Sequence, residues 1–239
     1  MNRRRFLIDG WILLIALLAF QQIRSGGLSP SYLMAKILML PGIITGIAFH
    51  EWAHAFSSDR LGDPTPRRQG RLTLNPMAHI DPIGFLCLIL IGFGWGIPVP
   101  IDPTYYKNKR RDEAIVSLSG VTTNFLLAAI FLLIIKAIAT IQPDLTASDS
   151  MGGIVVDMLQ YGAWINIVLM VFNLIPLPPL DGFGLLTQIF NLRKYHWYYT
   201  IMRYGNLFLM ALIFLGGSHY ILTPAVQAIY GFLTRLILG

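Results

Sequence analysis

Thiol chemistry is almost absent from this chain: Cys87 is the single cysteine in 239 residues. One cysteine excludes an intrachain disulfide and any iron–sulfur or multi-cysteine zinc site, so a metal would have to be held by histidine and carboxylate. Charge is scarce too, at 13% of residues against 55% hydrophobic, and the mean hydropathy is +0.61. A water-soluble domain could not hide that much apolar surface in one core, so the composition indicates an integral membrane protein. Acidic residues are the rarer charges, 12 against 18 Lys and Arg, for a net charge of +6. The basic residues cluster between apolar runs, where they set membrane orientation, and no nucleic-acid partner is expected. Internal repeats, low-complexity tracts and long linkers are missing as well. The expectation is one membrane-embedded domain over residues 1–239.

A membrane span needs roughly 20 apolar residues. Runs of that kind are Phe6–Gln22, Met34–Phe56, Ala114–Ile141, Gly153–Ile175, Met202–Gly216 and Ile221–Leu238. The first follows "NRRRFL" and lacks an Ala-x-Ala site after it, so it is taken as a retained span rather than a cleaved signal peptide. Another apolar run, Ile83–Ile101, contains "IGFGWGIPVP", whose glycines and prolines would leave backbone groups unsatisfied if stretched through lipid. Basic clusters flank it on both sides: Arg60, Arg67, Arg68 and Arg71 before, Lys107, Lys109, Arg110 and Arg111 after. A crossing would put one cluster outside, so the positive-inside rule favours a re-entrant hairpin. The expected fold is therefore an all-α polytopic membrane protein with six transmembrane helices and cytoplasmic termini. "RRQGRLTLNP" has the alternation of a short strand pair at the membrane surface.

Within the second run, "FHEWAHAF" places His50 and His54 one helical turn apart, so both imidazoles can reach one ion while Glu51 stands beside it. An unpaired carboxylate near the bilayer centre costs about 2.5 to 3.5 kcal/mol, which makes Glu51 functional by default; a structural histidine pair is the blander alternative. Gly42 and Gly46 continue the same stripe backward and would let a neighbouring helix come close. A third ligand must come from elsewhere. Among the acidic residues, Asp181 in "NLIPLPPLDGFGLL" follows a span ending on the same side as His54; a turn or helix-cap aspartate before Gly182 is the equal alternative.

Taken in order, "FHEWAHAF", "GRLTLNPMAHIDPIG", "GIPVPI", "SLSGVTTN" and "NLIPLPPLDG" resemble the site-2 proteases, intramembrane zinc metalloproteases, over about Ile43–Leu186. The similarity is to the compact prokaryotic branch without PDZ or CBS domains, with residues 6–22, 202–216 and 221–238 as peripheral helices. The resemblance implies one zinc ion per chain, held by His50, His54 and Asp181, and Glu51 as general base. It implies that Asn173 and Asn124 position the substrate peptide or its oxyanion, although Val121 stands where the family motif around Asn124 has proline. His79 matches the pattern too, either as a surface-loop residue capping backbone or as a gating or ligand-supporting group. The implied activity is cleavage of a single-span membrane protein within or near its transmembrane helix, with a fragment released to the cytoplasm, in a prokaryotic inner membrane. The extended segment and the "RLTLNP" strand would offer an edge for the unwound substrate. The competing class is a zinc-binding membrane scaffold or transporter that performs no hydrolysis.

Overall fold

The computed structural model describes residues 29–91, 94–146 and 150–239. The run Phe6–Gln22 lies outside them. In chain order the α-helices are α1 (Pro30–Arg60), α2 (Thr65–Arg68), α3 (Pro82–Ile91), α4 (Lys109–Ile141), α5 (Met151–Asn173), α6 (Asp181–Phe190), α7 (His196–Phe214) and α8 (Gly217–Leu238). Among the described residues, four helical segments are long and apolar enough to cross a membrane: α1, α4, α5 and Tyr220–Leu238 of α8. They correspond to four of the expected spans. α7 covers the run at 202–216 as far as Phe214 but is not among these four; it begins with "HWYYT", polar and aromatic residues that dilute its hydropathy.

Burial is inverted relative to a water-soluble helix. Apart from Ile43, the buried face of α1 is small or polar, with Gly42, Gly46, Ala48, His50, Ala53, His54, Ala55 and Ser58, while Leu33, Met34 and Ile37 are exposed. Lipid tails solvate the large apolar side chains, so close packing through small residues holds the helices together. A Cβ on Gly42 would lie 2.5 Å from the Gly162 Cα of α5, so these two backbones touch. Residues of α4 (Val121, Ala128, Leu132, Ile135), α5 (Val156, Ala163, Ile167, Met170, Val171) and α8 (Val226, Leu233) form the main apolar core.

The expected strand pair at "RRQGRLTLNP" is corrected. Among the described residues there is no strand, only an isolated antiparallel bridge between Ile80 and Gly96. Asp63 Oδ1 accepts the Thr65 amide and starts the turn of α2, and Gly70 turns the chain at φ 67°. Arg71 then supplies with its guanidinium what a strand would supply with its backbone: it donates to the carbonyls of Ala78, Ile97 and Pro98.

After α3 the chain comes back in extended form. Ideal Cβ atoms on Gly84 and Gly94 would collide with the Trp95 and Gly84 carbonyls, and the Ile97 amide donates to the His79 carbonyl at 2.7 Å. Residues 94–99 therefore lie against the start of the segment that led into α3. Their far end is tied down by Asp63, which is fully buried and accepts from Ser58 Oγ and from the Asp102 amide, both at 2.8 Å. Burial alone would raise the pKa of Asp63, but the hydrogen bonds from Thr65, Asp102 and Ser58 outweigh it and hold the carboxyl below its ordinary range.

Candidate functional site

α1, α4, α5 and α6 meet around the histidine pair. His50 Nε2 and His54 Nε2 are 3.0 Å apart, and Asp181 Oδ2 lies 3.2 Å from the first and 3.3 Å from the second. Asp181 opens α6, just after the loop that carries Pro176, Pro178 and Pro179. That loop is braced by α7, where Gly205 sits against the ring of Pro178, and Leu209 packs with Ile175 and Leu180. At the other end of α6, the Arg110 guanidinium donates to the carbonyls of Gln188 and Ile189. A carboxylate at the N-terminus and a cation at the C-terminus both complement the helix dipole.

The hydrogen bonds around the imidazoles fix where their protons are. His54 Nδ1 is 2.8 Å from the Val116 carbonyl, which can only accept, so Nδ1 carries the hydrogen. His50 Nδ1 is 2.7 Å from Asn124 Oδ1. The orientation of that amide is settled by its other end, since Asn124 Nδ2 faces the Gly46 carbonyl at 3.1 Å and Asn166 Oδ1 at 2.9 Å. Asn166 in turn donates to the carbonyls of Gly42 and Gly162. With both Nδ1 atoms protonated, each ring in its neutral form presents a bare lone pair at Nε2. Three acceptor atoms thus converge, and among the described residues the buried Asp181 Oδ2 receives no hydrogen bond.

Such a cluster repels itself unless a cation sits among the lone pairs. Zinc–nitrogen and zinc–oxygen bonds of about 2.0 to 2.1 Å at tetrahedral angles place ligand atoms about 3.3 Å apart, close to the spacing found. The donor set of two imidazoles and one carboxylate also suits zinc and leaves one position open. His50, His54 and Asp181 therefore fit a zinc ion.

The other expected residues fall in distinct places. Glu51 lies beside the cluster, and its Oε2 accepts the Val99 amide at 2.9 Å. Asn124 is fully buried, with both amide hydrogens and its oxygen committed, so it supports His50 and has no donor left for a substrate. Asn173 ends α5 and donates to the Leu169 carbonyl at 3.0 Å, which leaves its oxygen and a second hydrogen uncommitted among the described residues. His79 is not on the surface: it is fully buried, its Nε2 bonds the Thr73 carbonyl at 2.8 Å, and its Nδ1 has no partner among the described residues. The expected substrate edge is largely spent, because the amides of Ile97 and Val99 and the carbonyls of Ile97 and Pro98 all have partners inside the chain.

Two contributors escaped the sequence reading. Asn166 lies in the middle of an apolar helix with no motif around it, and only the packing of α5 on α1 and α4 puts it behind Asn124. Gly120 of α4 is the second: a Cβ there would stand 2.5 Å from His50 Cε1 and 2.6 Å from His54 Nε2, so α4 can approach the two imidazoles only through a glycine. The polar relay gives a testable outcome. Asn124→Ala leaves the His50 Nδ1 hydrogen without an acceptor, and zinc affinity measured against a competing chelator should fall about 10- to 100-fold. Asn124→Asp, which keeps an acceptor, should recover part of the loss.

The model of peptidase family M50 matches residues 38–216. YwhC of Bacillus subtilis, a zinc metalloprotease by name, is 37% identical over 149 residues, 62% of this chain and 66% of that protein. Rip2 of Mycolicibacterium smegmatis, also a zinc metalloprotease by name, is 31% identical over 67% of this chain and 60% of that protein. Rip2 of Mycobacterium tuberculosis is 27% identical over 65% and 58%. The chain thus spans about three fifths to two thirds of the length of these relatives. No solved structure matches it significantly. The chain belongs to peptidase family M50.

Proposed function

We propose that this member of family M50 is an intramembrane zinc endopeptidase that cleaves a single-span membrane protein within or near its transmembrane helix and releases a fragment to the cytoplasm. The convergence of two bare imidazole nitrogens and a buried carboxylate beside Glu51 carries the proposal. His50, His54 and Asp181 would hold one zinc ion per chain. When bound, zinc supplies a Lewis acid for the scissile carbonyl and lowers the pKa of water toward about 7. Glu51 accepts the proton of the attacking water and passes it to the leaving amine. The Asn166–Asn124 relay and the Val116 carbonyl keep each imidazole in the tautomer that exposes Nε2. Asn173, with a free oxygen and hydrogen, holds the substrate backbone or the developing oxyanion.

Peptide hydrolysis needs water and an unwound substrate, neither of which lipid tolerates. The membrane arrangement we propose has six crossings, the four apolar helices together with 6–22 and α7, in a prokaryotic inner membrane with both termini cytoplasmic. Residues 83–101 enter and leave from the cytoplasmic side. The chain reversal after α3 supports this, as does the basic charge on both flanks. Cysteines placed at Arg67 and Lys109 in a Cys87→Ser background should be labelled by an impermeant maleimide from the same face. Labelling from opposite faces would exclude the hairpin.

A further inference from the structure

We propose that the backbone amide of Val99 is a positioning group for Glu51, an inference that rests on Glu51 acting as general base. In "IPVPI" the residues on either side of Val99 are prolines, so between Ile97 and Ile101 a single backbone N–H exists. That hydrogen is donated to Glu51 Oε2 at 2.9 Å. Val99 itself is buried.

The amide is held from both sides. On the N-terminal side, Arg71 binds the Ile97 and Pro98 carbonyls and the His79 carbonyl takes the Ile97 amide. On the C-terminal side, the Asp102 amide is fixed by Asp63, whose second partner Ser58 belongs to the same helix as Glu51. A glutamate has three rotatable side-chain bonds, and a carboxylate that must meet one water molecule cannot wander among rotamers. The Val99 hydrogen selects one arrangement, occupies Oε2 and leaves Oε1 as the oxygen free to take the proton. The two prolines have a second consequence: they remove the neighbouring donors that would compete for the carboxylate. The geometry thus makes the extended arm 94–101 part of the hydrolytic machinery, with Arg71 acting on Glu51 through it.

The test replaces the Val99 amide by an ester in the full-length protein, using the α-hydroxy acid counterpart of valine, so that the N–H is lost while side chain and chain path remain. Activity is read on a fluorogenic single-span peptide in phosphatidylethanolamine–phosphatidylglycerol vesicles. The expected result is a fall in kcat of about tenfold or more, with KM and zinc content unchanged. The same ester at Thr104, whose amide donates to Asp102 Oδ1 in the same loop, should leave kcat unchanged. Unchanged kcat at Val99 overturns the proposal, and so does a raised KM with normal kcat, which would mean that the arm holds substrate instead. Should the ester protein fail to accumulate, Arg71→Ala is the second variant: it must lower kcat with zinc retained, and full kcat overturns the proposal. Glu51→Gln separates the two levels. If that variant is active, the general-base assignment fails; if it is inactive while the Val99 ester is fully active, only the present inference fails.

Discussion

Purified Glu51→Gln protein is expected to keep its zinc and to lose cleavage of a membrane-helix substrate by about 10²-fold or more, the lower range for removing a positioned general base. Glutamine keeps the size of the side chain and an oxygen that can still accept the Val99 amide, so the arm should stay docked. What it cannot do at neutral pH is take a proton from water. The expected pattern is thus a normal metal content beside a collapsed kcat. Wild-type cleavage by this variant would remove the hydrolytic role and leave a zinc-binding membrane scaffold as the better reading.

Asp181→Ala should act at the other level, on the metal. Oδ2 is the one anionic donor in the cluster, and it lies 3.2 and 3.3 Å from the two Nε2 atoms. Its removal leaves two neutral imidazoles, too few for the closed set of three protein ligands that catalytic zinc sites use. Zinc should drop from one per chain to near zero after dialysis against a weak chelator, and cleavage should vanish with it. Helix α6 should persist, because Arg110 still caps its C-terminus and Gly205 still braces the preceding loop. Circular dichroism of the variant checks that point. Stoichiometric zinc at unchanged affinity would show that Asp181 is not a ligand.

What could be read from the sequence follows from how local each feature is. His50, Glu51 and His54 lie within two helical turns, so their shared face is fixed by helix geometry alone. Four apolar runs became long helices because lipid demands satisfied backbone over a set length. Asp181 was reachable by elimination and by the resemblance, since few carboxylates lie on the correct side. Asn166 was not reachable: nothing within its own helix marks it, and its value arises only where Gly42, Gly162 and Asn124 come together. Gly120 was hidden for the same reason. The strand expected at "RLTLNP" failed because alternation over a few residues cannot reveal what a long side chain will do, and Arg71 takes the carbonyls that would have belonged to a sheet. Asn124 was placed at the substrate because family resemblance transmits residue identity better than direction; its amide points at His50.

Two imidazoles and one carboxylate are proposed to hold zinc with one position left open. X-ray absorption at the zinc edge of the purified wild-type protein tests that arrangement most directly. A four-coordinate site is expected, with two imidazole nitrogens and oxygen for the remainder, at about 2.0 to 2.1 Å and with no sulfur. A six-oxygen shell, a sulfur from Cys87, or a single imidazole would contradict it.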